Sequence, residues 1–170
     1  MAVTAPDTRR AYLLEWKYVE EYRPGRYLGV GVSGKTRRTR YEALLREADS
    51  PFVDGVTLDD LLCEPLYQIM RLLLLGRKMV RERQLLVEEA KLVVVCPREN
   101  TAYRDTITSC PLAVRLPEAK TVEQLMRRIL RRPADFAIVS QEELLAALRT
   151  SPLAAQLGPW LAYQAERYGW

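Results

Sequence analysis

The chain of 170 residues contains no histidine. That absence removes Ser-His-Asp and Cys-His catalysis, histidine metal sites and an imidazole general base. Any metal-dependent hydrolysis here has to be carried by carboxylates, carbonyls and lysine. Cysteine is scarce: Cys63, Cys96 and Cys110 form no C-x-x-C pair, so neither a zinc site nor a disulfide framework is indicated, and all three read as buried thiols of a cytoplasmic protein. Long apolar runs are missing too. The longest pure aliphatic stretch, Leu72 to Leu75, is far too short for a bilayer, and the opening MAVTAPDTRR lacks the apolar core of a signal peptide. The sequence predicts a protein that is neither secreted nor membrane-embedded.

What is present fits one globular domain over residues 1–170, with 48% hydrophobic and 28% charged residues. The net charge is +4, and the cations are 21 Arg against 5 Lys. Arginine binds phosphate with two parallel N–H donors, which suits a nucleic-acid surface, although GC-rich coding also favours arginine.

The stretch Ala11 to Glu20, AYLLEWKYVE, carries the sharpest signal. Its aromatic, aliphatic and β-branched content suits a strand, and period two sets Leu13, Glu15 and Lys17 on one face and Leu14, Trp16 and Tyr18 on the other. A half-buried carboxylate and ammonium are costly to desolvate unless they are paired or bind something. One reason for the pair is a divalent metal, with Glu15 as a hard oxygen ligand for Mg²⁺ and Lys17 beside the water or phosphate; the other is a same-face ion pair with no chemistry.

Pro6-Asp7-Thr8 reads as a turn before this strand, as though the first arm of a hairpin were missing. Downstream, Gly29 to Thr36 matches G-x-x-x-x-G-K-T, but only Tyr27 and Leu28 precede it, so a Gly-rich loop or edge strand is expected there rather than a phosphate-cradling loop. Arg37, Arg38 and Arg40, with Lys35, then open a helix through Tyr41 to Leu45. The cluster reads equally as a DNA phosphate contact or as a solvated basic surface. Thr57 caps a helix expected to run to about Glu82, bent or restarted near Pro65, with Leu62, Leu66, Ile69, Leu73 and Val80 on its apolar stripe and Gln68, Arg71 and Lys78 opposite. Lys91 to Pro97 is a continuous apolar strand, reached by a crossover. Helices over 121–130 and 141–148 flank a short strand at 135–139, and a terminal helix over 152–168, interrupted at Gly158-Pro159, brings Trp160, Tyr163 and Tyr168 to the core.

The segments LLEWKY, EEY, RTRYEALL, SPF, EPLYQIMR and VVVCPREN together resemble a restriction-endonuclease-like family of the PD-(D/E)xK nuclease superfamily, from about Ala11 to Asn100 and more loosely to Ser140. The resemblance implies an α/β fold with a mixed β-sheet flanked by helices, and Mg²⁺- or Mn²⁺-dependent hydrolysis of DNA phosphodiesters. It makes Glu15 the metal ligand, Lys17 the assistant to water or phosphate, and Gln68 and Arg71 supporting groups on the helix beside the metal strand. It also implies an Asp on an earlier strand, whose usual position would fall before Met1. Asp7 is the sole upstream acid, and a homodimer partner is another source of that ligand. An alternative is a catalytically silent nuclease-fold module that binds DNA or a partner protein.

Overall fold

Period-two burial along Arg10–Trp16 makes this segment the axis of the computed structural model, which describes residues 2–5, 9–17, 27–105 and 111–168. Strand β2 (Arg10–Trp16) buries Ala11 and Leu13. It lies between β1 (Ala2–Ala5), antiparallel, and β3 (Glu89–Val95), parallel, with β4 (Phe136–Val139) parallel to β3 at the far edge. The sheet is therefore mixed, as expected. The first hairpin arm is present, contrary to the sequence reading: β1 pairs Ala2 with Leu13 and Ala5 with Arg10. Four residues at a sheet edge carry too little apolar pattern to announce themselves.

The crossover between β2 and β3 runs through α1 (Gly31–Leu45), α2 (Leu58–Leu61) and α3 (Leu66–Arg81). Thr57 caps α2 through a reciprocal bond pattern with Asp60, and the chain restarts at Pro65 to form α3. The apolar stripe of α3 is the core: Leu66, Ile69, Met70 and Leu73 pack on β3 and share one buried cluster with its Leu92 and Val94 and with α6 (Val122–Ile129). Gly76 lets α3 approach the sheet, since a Cβ there would lie 2.9 Å from the Ala90 Cβ and 3.3 Å from Leu13 Cδ1. This contact fixes which face of β2 meets α3: the face of Leu13, Glu15 and Lys17.

Four expectations need correction. The segment Gly31 to Thr36 is helical and belongs to α1, neither loop nor edge strand; Gly34 is buried where a Cβ would sit 2.3 Å from the Gly29 carbonyl carbon, so this glycine serves close packing. Short α4 (Thr101–Asp105) and α5 (Pro111–Arg115) precede α6, and α7 (Gln141–Arg149) is followed by a continuous α8 (Ala154–Tyr168) with Pro159 inside it. The carbonyl that loses its donor to Pro159 belongs to exposed Ala155 and can be met by water. Tyr163 of α8 does not build the core either: it is 48% exposed and holds Arg167, while Leu161 is buried. Cys63 is disulfide-bonded, not a thiol, and among the described cysteines Cys96 is the free buried one. Cys110 and the Pro6–Thr8 turn lie outside the described residues. Among the described residues, no helix is long and apolar enough to cross a membrane.

Candidate active site

The site forms where the carboxyl end of β2 meets the amino end of α3. Lys17 follows the last residue of the strand, and its backbone N–H still bonds the Val95 carbonyl at 2.8 Å, so its position is fixed by the sheet. Its side chain, only 5% exposed, reaches Glu15 Oε1 at 2.8 Å and donates to Gln68 Oε1 at 2.5 Å. Glu15 is 31% exposed and faces a cleft. A buried ammonium in contact with a carboxylate that is open to solvent, and with an amide, is a polar group placed for contact with a ligand.

Gln68 occupies the first turn of α3, and Arg71, one turn further on the same face, is exposed at the cleft. Glu64, just before the helix, was not singled out from sequence. It accepts hydrogen bonds from the Gln68 side chain and backbone, yet its Oε2 is buried with no partner. Burial pushes the Glu64 carboxyl above its usual range, opposed by the charge of Lys17, by the Gln68 bonds and by Arg71. The signal was available in EPLYQIMR, where an acid four residues before Gln68 stands one helical turn away; a Glu preceding Pro reads first as part of a helix start.

The cleft has a volume of about 620 Å³. Its floor includes Tyr41, Leu44, Leu72 and Leu75, and Glu15, Lys17, Gln68 and Arg71 share it with Arg77 and Arg81. From Gln68 to Arg81 the helix spans roughly 20 Å at its normal rise, the length of about six base-pair steps. Arg77 is bonded to Asp49 and Arg81 to Glu47, so much of the distal charge is already balanced.

The basic cluster of α1 divides. Arg37 donates to the Leu28 carbonyl at 2.8 Å and lies 5.2 Å from the Tyr67 ring, which also holds Arg71 at 5.6 Å. Tyr67 thus links Arg37 to the site. Arg38 is turned to Asp59 at 2.5 Å and to the Tyr27 hydroxyl at 2.8 Å; Arg38 and then Tyr27 hold the Asp59 carboxyl below its usual range. Arg40 is exposed on α1 and does not line the cleft. Beyond β3, Arg98 pairs with Glu143 and Asn100 caps the Tyr103 N–H, both local roles.

Among the described residues, no group of three or more His, Cys, Asp or Glu side chains could hold a metal ion. Glu15 and the unpartnered oxygen of Glu64 give two carboxylates around Lys17 and Gln68. That set fits Mg²⁺ or Mn²⁺, hard cations that accept one or two carboxylates and keep several waters, and does not fit a closed zinc site. No curated protein and no solved structure matches the chain. A family model described as restriction endonuclease associating with ARP matches residues 1–169, nearly the whole length, and the chain belongs to that family.

Proposed function

We propose that the chain is a Mg²⁺- or Mn²⁺-dependent nuclease of the PD-(D/E)xK type that hydrolyses DNA phosphodiesters, on a restriction-endonuclease-like form of its mixed sheet. The observation that carries this reading is the Lys17 ammonium, buried between Glu15 and Gln68 beside the cleft. Membership in a restriction-endonuclease family supports it.

Glu15 is the carboxylate that holds the metal. The ion, when bound, polarises the phosphate and lowers the pKa of a bound water. Lys17 stabilises negative charge that builds on the phosphate oxygens as water adds to phosphorus and the bond to the leaving oxygen breaks. Gln68 accepts from Lys17 and donates to Glu64, so one amide fixes the orientation of both. Arg71, exposed and held over Tyr67, binds a neighbouring backbone phosphate, with Arg37 behind it. Arg38 and Arg40 contribute long-range attraction to DNA rather than contacts at the cleft.

A cleavage time course on supercoiled and linear DNA with Mg²⁺ or Mn²⁺, against EDTA and a Glu15→Gln variant, tests the reading. Cutting that needs the metal and is lost in the variant is expected. Intact DNA after prolonged incubation with folded protein would instead favour the second reading, a catalytically silent module that binds DNA or a partner protein. The shortage of clustered carboxylates among the described residues and the family's description as associating with ARP favour that alternative.

A further inference from the structure

We propose that Glu64 is the second metal-binding carboxylate of this centre, sharing one divalent cation with Glu15. This rests on the nuclease reading and names a ligand that the reading leaves open.

The first support is an accounting of buried polar atoms. Glu64 Oε2 is a buried side-chain oxygen without a hydrogen-bond partner. Buried oxygens are nearly always satisfied, because an unmet acceptor keeps its full desolvation penalty. Protonating Glu64 does not remove the problem, since a buried O–H would then lack an acceptor. A cation meets the oxygen's need directly.

The second support is connectivity. Gln68 bridges Lys17 and Glu64, and Lys17 bridges Gln68 and Glu15, so the two carboxylates sit at the ends of one short chain of contacts. Glu15 lies near the carboxyl ends of the parallel strands, where open α/β sheets gather ligands. Glu64 also stands next to Pro65 at the start of α3, which restricts its backbone.

The test is Mn²⁺ binding without substrate, read from the loss of the free-ion paramagnetic resonance signal. Wild type, Glu15→Gln, Glu64→Gln and a remote control, Glu142→Gln, are compared after circular dichroism has shown each to be folded. Saturable binding of one Mn²⁺ by wild type and the control is expected, weakened at least about tenfold in both site variants. Glu64→Asp keeps the charge on a shorter stem, and an affinity between wild type and Glu64→Gln is expected; it carries the test if Glu64→Gln fails to fold. Wild-type affinity in Glu64→Gln, or in folded Glu64→Asp should the amide variant not fold, overturns the proposal. So does the absence of saturable Mn²⁺ binding in wild type. Neither result decides the nuclease reading, which stands or falls on metal-dependent cleavage and its loss in Glu15→Gln.

Discussion

Replacing Lys17 by Met keeps the aliphatic stem and removes the ammonium, which separates what the charge does for the fold from what it does for chemistry. The buried ammonium is costly to desolvate, and Glu15 at 2.8 Å with Gln68 at 2.5 Å offsets that cost. The substitution removes both sides of this balance, so the stability change is set by the partners left behind. Glu15, at 31% exposure, regains water and loses little. Gln68 Oε1 loses a charged donor in a half-buried place, worth about 1–2 kcal/mol. A destabilisation of about 1–2 kcal/mol follows, less than the 3–5 kcal/mol of breaking a fully buried ion pair. With a urea slope of about 2 kcal/mol/M, the midpoint should fall by roughly 0.5–1 M. Such a loss leaves a protein of ordinary stability folded at 25 °C. Cleavage, in contrast, should drop by about 10²-fold or more, as for removal of a group that acts in the transition state. Urea denaturation followed by circular dichroism and single-turnover cleavage read the two effects separately. Cleavage within about threefold of wild type, with the midpoint lowered as calculated, would make Lys17 a structural ion-pair partner and remove it from the mechanism.

Three further outcomes are expected. Arg71→Ala should weaken DNA binding and reduce the slope of log affinity against log salt by about one, whereas Arg38→Ala, whose charge is already taken by Asp59, should change the slope less; equal effects in an anisotropy titration would contradict this division. Burial raises the Asp135 carboxyl from its ordinary value of 3.8, against the pull of Arg132, Lys91 and Arg77, while Glu89 adds to the rise. Folding therefore favours its protonated form, and that contribution is fully present below pH 3.8 and lost as pH rises through the higher folded value. Asp135→Asn should thus gain stability relative to wild type as pH rises from about 4 towards neutrality, and a constant difference in urea midpoint across that window would exclude the effect. Finally, Gly76→Ala gains about 1 kcal/mol of helix propensity and meets the Ala90 Cβ at 2.9 Å, which costs about 1–3 kcal/mol, so a net loss of roughly 0–2 kcal/mol is expected. Combining it with Ala90→Gly should recover part of that loss, and strictly additive effects in a double-mutant cycle would show that the two positions do not touch.

The elements that were legible in the sequence are those whose burial repeats. Leu66, Ile69 and Leu73 at helical spacing marked one face of α3 as core, and this placed Gln68 and Arg71 on the other, where the cleft lies. The unbroken run Leu92 to Cys96 marked a strand buried on both sides, and β3 does pair in parallel with both β2 and β4. Residues whose role depends on distant partners were not legible. Arg38 looks like any other member of a basic cluster until Asp59 is brought across from α2, and Tyr67 looks like a helix aromatic until Arg37 and Arg71 both settle on it. Glu64 was hidden for the same reason: the lack of a partner for one oxygen can be seen only when everything around it is in place.

The parallel pairing of β2 with β3 also governs when the centre comes into existence. Lys17 and Gln68 are 51 positions apart, and the backbone of Lys17 is held by Val95, later still in the chain. Contacts of such long sequence range form slowly and late in folding. A chain leaving the ribosome therefore exposes Glu15 and Lys17 well before either has a fixed neighbour, and the junction closes only after the whole crossover has been made and β3 has docked. For the proposed nuclease, topology itself acts as a timer, withholding the assembled cutting centre from the nucleic acids that surround the protein's own synthesis.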